Sequence, residues 1–295
     1  MKVKPVILCG GAGTRLWPNQ KKHQAKQFID FGGWTLIDQT LERIKKPIFD
    51  YPIISTNFKY LKKIKRHLKK NKFKKYRIIL EPSKKNTAPA ILTAALAADW
   101  EDELENHKFE QPLLFLSADH FMQKEHIFYK AISKNINNLD DKNIFIFGIK
   151  PTSPSSEYGY FLTKKIKNNI NKVEKFIEKP NSSKAKKLIR RKCYWNSGMF
   201  FLKTESLINN FLKHNPKIYW SCIKTLSSLS KTKYRQNVCY LDKKLFNNVP
   251  AQSFDSAILE KSKNINGIKL NIPWSDLGNW KEISNVFKKN KMKYF

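Results

Sequence analysis

Along the first half of this chain, short apolar runs alternate with helix-length amphipathic segments. No other feature of the sequence narrows the choice of fold as much. Val3–Cys9 is followed by a helix-like Thr35–Lys46, Tyr51–Ser55 by Phe58–Lys70, Arg77–Leu80 by Asn86–Trp100, and Leu113–Ser117 by Glu125–Asn137; Ile144–Gly148 closes the series. A strand buried on both faces reads as a continuous apolar run, and strands joined by a crossover helix lie parallel. The expectation is an α/β fold with a mostly parallel, helix-covered sheet. Thr35 is placed to cap its helix, with Leu36, Ile37, Leu41 and Ile44 at helical spacing behind it. Beyond Gly148 the rhythm changes. Tyr158–Thr163 and Val173–Ile177 read as a hairpin or insertion and Cys193–Leu202 as a further buried strand, after which helices dominate to Phe246. A helical Phe254–Lys261, a strand Gly267–Ile272 and a helix after Gly278 complete the reading. No Pro/Gly/Ser-rich linker or repeat divides the chain, so one domain over 1–295 is expected.

Composition sets outer bounds. With 295 residues, 41% of them hydrophobic, the chain can bury a sizeable core, which excludes disorder throughout. Cys9, Cys193, Cys222 and Cys239 form no C-x-x-C pair, which argues against a zinc site and for a reduced, cytoplasmic chain. The N-terminus enters a strand with no targeting segment, and no apolar run approaches the roughly 18 residues of a membrane span. The formal charge of +33 admits three kinds of partner: nucleic acid, an anionic membrane surface or small anions. Lysine is spread along nearly the whole chain, and in the most basic segment, Lys59–Arg77, Tyr60, Leu61, Ile64 and Leu68 recur at helical spacing. The lysines there read as the solvated face of an amphipathic helix, so no specific nucleic acid and no membrane is expected.

The chemistry concentrates where the first strand ends. Val6-Ile7-Leu8-Cys9 runs into Gly10-Gly11-Ala12-Gly13-Thr14-Arg15-Leu16-Trp17-Pro18, with Ala25-Lys26-Gln27-Phe28 beyond. Three glycines let backbone N–H groups approach an anion closely. The loop is neither G-x-G-x-x-G nor a P-loop, because no Gly-Lys-Ser/Thr follows. Together with Glu81–Ile91, Leu116–His120, Gly148–Thr152, Tyr158–Tyr160, Phe176–Pro180, Trp195–Phe200, Ser253–Lys261 and Trp274–Trp280, it resembles the sugar-nucleotide pyrophosphorylases, in order and over nearly the whole chain.

The resemblance implies a Rossmann-like nucleotidyltransferase fold, glycosyltransferase-A-like: a three-layer sandwich on a mixed, mostly parallel sheet. Residues 1–150 would form its nucleotide-binding half and 151–285 its sugar-phosphate-binding half, with no C-terminal isomerase or β-helix domain. It implies GTP and mannose 1-phosphate as substrates and Mg²⁺ as cofactor. Leu8, Gly10, Gly11, Gly13, Thr14, Glu81, Pro82, Asn86, Thr87 and Ala88 would meet the nucleotide, and Arg15, Lys26 and Lys179 would balance phosphate charge. Asp119 and Asp276 would hold the metal, while Gly159, Glu178, Lys179 and Asn196 would meet the sugar phosphate; His120 reads as structural. Another nucleotide or sugar, or a non-catalytic sugar-nucleotide-binding relative, stays open. Ala25, Ser117 and Lys85 depart from the family's usual Pro, Pro and Arg. Oligomer contacts that relatives draw from a further C-terminal segment are left open, a homodimer among them.

Overall fold

The computed structural model describes residues 2–11, 13, 16, 24–102, 111–166, 171–228, 234–235 and 237–289. In chain order its first half comprises β1 (Lys4–Cys9), α1 (Leu36–Arg43), β2 (Ile53–Asn57), α2 (Leu61–Lys70), β3 (Arg77–Glu81), α3 (Thr87–Asp102), β4 (Pro112–Ser117), β5 (Phe121–Met122), α4 (Glu125–Asn135) and β6 (Ile144–Ile149). The second comprises β7 (Tyr160–Lys165), β8 (Asn171–Ile177), α5 (Ser182–Arg190), β9 (Tyr194–Lys203), α6 (Thr204–His214), α7 (Pro216–Ser227), β10 (Tyr234–Arg235), β11 (Val238–Tyr240), α8 (Lys243–Asn247), β12 (Ile265–Leu270), β13 (Trp274–Ser275) and α9 (Trp280–Lys289).

One mixed sheet runs in the order β10-β11-β3-β2-β1-β4-β9-β6-β12-β8-β7. Strands β11, β3, β2, β1 and β4 are parallel neighbours, whereas β9 enters antiparallel between β4 and β6. The alternation of side chains along each strand divides the core in two. Ile7, Leu114 and Leu116 face α1, α2, α4 and α5, whereas Val6, Leu113 and Phe115 face α3, α6 and α7. Helix, sheet and helix make the three layers.

The basic segment behaves as an amphipathic helix. Tyr60, Ile64 and Leu68 are buried, and Lys70, His67 and Asn71 bind the Asp38 carboxylate of α1 at 2.7–2.8 Å. Burial would raise the Asp38 carboxyl, but these hydrogen bonds bring it down to about 2. Part of the basic run is thus committed to helix packing. Thr35 caps α1 as expected, accepting from the Asp38 N–H at 3.2 Å.

A third cluster, of Leu16, Phe31, Leu36, Phe121, Leu277 and Ile283, ties the C-terminal loop to the first glycine loop. Leu277 is fully buried at φ 49, so its apolar burial, worth about 2 kcal/mol, outweighs a left-handed backbone costing about 1. The Trp280 indole N–H donates to the Leu16 carbonyl at 3.0 Å. Asp276 directly precedes Leu277 in this anchored loop.

Candidate active site

At the C-terminal edge of the parallel strands lies a cleft of about 300 Å³, where open α/β sheets bind their ligands. It is lined by Leu8, Cys9, Gly10 and Gly11 at and beyond the end of β1, Ser55 of β2 and Glu81 at the end of β3, Lys84, Lys85, Asn86, Thr87 and Ala90 around the start of α3, and Ser117 and Asp119 at and beyond the end of β4. Gly10 and Gly11 have no atom within 4 Å of where a Cβ would stand, so they leave the cleft free. The N-terminal turn of α3, a natural anion site, contributes Thr87 and Ala90. Glu81 is buried and accepts from the Ser55 hydroxyl; burial pushes its carboxyl up to about 7.

Of the expected nucleotide contacts, Leu8, Gly10, Gly11, Glu81, Asn86 and Thr87 do line this cleft, whereas Gly13, Pro82 and Ala88 are not among its lining residues. Ala88 is fully buried in the core, and its N–H is spent on the Gln252 carbonyl at 3.0 Å. Asn86 adopts φ 67, and Thr87 uses its hydroxyl to accept from the Phe254 N–H at 2.8 Å. Lys85, at a departure from the family pattern, donates to the Asn247 carbonyl at 2.6 Å. Thr14 and Arg15 lie outside the described residues.

Lys26 is the junction of the site. It is 4% exposed, and its Nζ lies 2.9 Å from Asp119 Oδ2 and donates to the backbone carbonyl of Asp276, 250 residues away. Burial would raise the Asp119 carboxyl, but the Lys26 and His120 charges and hydrogen bonding hold it below the usual carboxylate range. Gly13 makes this placement possible: at φ 64, a Cβ there would stand 2.7 Å from the Lys26 backbone nitrogen. Gln27 braces the loop by donating to the Gly11 carbonyl at 3.1 Å. His120 packs edge-on against Trp274, with ring centroids 5.2 Å apart, and burial lowers its pKa.

Three of the acceptor-side residues also converge. The Asn196 N–H donates to the Gly159 carbonyl at 2.8 Å, and a Cβ on Gly159 would meet Glu178 Oε2 at 2.8 Å. Lys179 is exposed, at φ 43, with its Nζ 3.6 Å from Glu178 Oε1. Two residues absent from the sequence-based set bind this region together. Tyr158 donates to Asp276 Oδ1 at 2.7 Å, and Asp255 accepts from Asn196 Nδ2 at 2.6 Å. Tyr158 borders the recognised Gly159, which was the available signal, but a contact spanning 118 residues has no local trace.

An α/β fold with a glycine-lined cleft, a buried lysine bridging two aspartate segments and a polar cluster of Glu178, Asn196 and Asp255 defines a nucleotide-handling class. The nucleotidyl transferase family model matches residues 4–292, and the chain belongs to that family. It is 34% identical over 294 residues to mannose-1-phosphate guanylyltransferase of Escherichia coli, covering 97% of this chain and 62% of that protein. The alginate biosynthesis protein AlgA of Pseudomonas aeruginosa is 31% identical over 97% of this chain and 59% of its own length. The chain therefore spans about three-fifths of the curated relatives it matches. A crystal structure from Thermus thermophilus, described as mannose-1-phosphate geranyltransferase, superposes with a TM-score of 0.81 at 26% identity, over 97% of this chain and 79% of that one. Among the described residues no helix is long and apolar enough to cross a membrane.

Proposed function

We propose that this chain transfers GMP from GTP to mannose 1-phosphate, releasing pyrophosphate and forming GDP-mannose. The carrying observation is Lys26, whose buried ammonium joins the carboxylate of Asp119, a residue lining the glycine cleft, to the Asp276 segment. The names of the Escherichia coli relative and its kin support the choice of substrates. Two phosphate groups must meet for this reaction, and like unit charges about 4 Å apart repel by about 4 kcal/mol at an effective dielectric near 20. Lys26 supplies one compensating charge, and Arg15 and Lys179 are assigned to others. The sugar-phosphate oxygen attacks the α-phosphorus directly and pyrophosphate leaves, so catalysis here is positioning and charge stabilisation.

Asp119 and Asp276 fit Mg²⁺ as a donor set. Both offer hard carboxylate oxygens, and Lys26 links the Asp119 carboxylate to the backbone of Asp276. Two carboxylates with waters and substrate oxygens are what Mg²⁺ commonly takes. It would supply Lewis-acid neutralisation of the triphosphate. Glu81 and Asn86 are assigned to guanine, the carboxylate accepting from N1–H and the 2-amine, and Gly159, Glu178 and Asn196 to sugar hydroxyls.

The test is pyrophosphate release from a panel of nucleoside triphosphates crossed with sugar 1-phosphates in Mg²⁺. GTP with mannose 1-phosphate is expected to give the highest kcat/KM. A higher value for another pair would reassign base or sugar. Binding of GDP-mannose without any release would identify a non-catalytic relative.

A further inference from the structure

The residues around Glu178 and Asn196 are acidic in a chain whose formal charge is +33. Glu178, Asp255 and Glu260 gather there, and the Glu178 N–H donates to Glu260 Oε1 at 3.2 Å. Asp255 opens the π-helical turn Asp255–Leu259, a rare local geometry that tends to occur at functional sites. Its Oδ1 accepts from Asn196 Nδ2 at 2.6 Å, while Asn196 Oδ1 accepts from the Gly198 N–H at 3.2 Å. Both ends of the Asn196 amide are thereby fixed, and with them which atom it turns to a ligand.

We infer that Asp255 is a positioning residue of the acceptor-sugar pocket: it locks the Asn196 amide and stands beside Glu178, so that sugar hydroxyls meet a pre-set pattern of donors and acceptors. The inference rests on the transferase reading and deepens it. Burial and then the Asp255 charge push the Glu178 carboxyl up to about 7. Lys179 opposes this shift and Glu260 adds to it. Burial also raises Asp255 itself, against its hydrogen bond from Asn196. Glu178 accepts from sugar hydroxyls best as a carboxylate, and the Asp255 charge adds to burial in raising the pH at which that form prevails.

Two variants separate the two roles. Asp255→Asn keeps an oxygen for the Asn196 amide and removes the charge, whereas Asp255→Ala removes both. In Asp255→Asn, the acid limb of kcat/KM for the sugar 1-phosphate should move down by about one pH unit. The phosphate's own titration is common to both proteins and cancels. In Asp255→Ala, KM for the sugar 1-phosphate should rise about tenfold while KM for the nucleotide stays within about twofold. NMR titration of the ¹³C-labelled Glu178 carboxyl should show the same downward move in Asp255→Asn without any turnover. If the wild-type protein uses no sugar 1-phosphate, the transferase reading falls and the titration alone decides this inference. An unmoved Glu178 carboxyl overturns the inference, as does an Asp255→Ala variant that weakens nucleotide and sugar phosphate equally.

Discussion

Gly13 carries a constraint that can be worked out from the geometry. At φ 64, an alanine there would adopt a left-handed backbone at a cost of about 1–2 kcal/mol. Its Cβ would also stand 2.7 Å from the Lys26 nitrogen, 2.9 Å from Lys26 Cβ and 3.3 Å from Lys26 Cα. The closest of these falls about 0.7 Å short of ordinary contact and involves backbone, so no side-chain rotation relieves it. Lys26 must shift by a similar distance, which carries its ammonium off Asp119. A misplacement of about 1 Å at a reacting centre costs on the order of 100-fold in rate. Gly13→Ala should therefore lower kcat/KM for pyrophosphate release by about 100-fold and the unfolding midpoint by a few degrees, at about 2–4 °C per kcal/mol. Gly10→Ala is the control, since its Cβ meets nothing within 4 Å; it should keep its midpoint and weaken nucleotide binding alone. Activity of Gly13→Ala within threefold of the wild type, with its fold intact, would refute the claim that this glycine sets the lysine.

Other consequences follow from the same geometry. Burial raises the Glu81 carboxyl from its ordinary 4.5 to about 7, so the native state holds an extra proton between those pH values. That stability is fully present below pH 4.5 and is lost as pH rises through 7. Glu81→Gln should therefore gain up to about 3 kcal/mol over the wild type between about pH 5 and pH 8, read by thermal melts at both. The wild-type KM for GTP should rise as pH falls below about 7, whereas that of Glu81→Gln should not. Tyr158→Phe removes the hydrogen bond to Asp276 but keeps the ring between Trp195 and Trp274; the Mg²⁺ concentration for half-maximal rate should rise about tenfold with little change in melting temperature. Ala25 sits at φ −66 and ψ 139, angles that proline already favours, so Ala25→Pro should stabilise the protein by about 0.4–1 kcal/mol in denaturant titration.

Periodicity made the parallel half of the sheet legible, because each of its longer strands shows an apolar run and helices α1 and α2 each show a face, while α3 is buried nearly all round. Thr35 was readable for a similar reason, its cap being local. The short strands were not: β10 and β13 have two residues each and β11 three, and they exist only through their partners. Phe254–Lys261 had a helical pattern, but its core is a π turn, and that geometry delivers Asp255 to Asn196. The candidate site divides in the same way. The glycines, Lys26 and Asp119 were visible as motif residues, but the burial of Lys26 between segments 250 residues apart was not. Tyr158 and Asp255 act through tertiary hydrogen bonds that have no local sequence signature.

The central claim is that phosphate groups held around Lys26, Asp119 and Asp276 exchange a nucleotidyl group. Its most direct test is ³¹P NMR of the wild-type protein with GTP, mannose 1-phosphate and Mg²⁺. The substrate signals should give way to equimolar pyrophosphate and GDP-mannose, and Asp276→Asn, folded by its melt, should slow this by at least about 100-fold. Unchanged substrate signals with the folded wild-type protein, or an Asp276→Asn variant as fast as the wild type, would contradict the account.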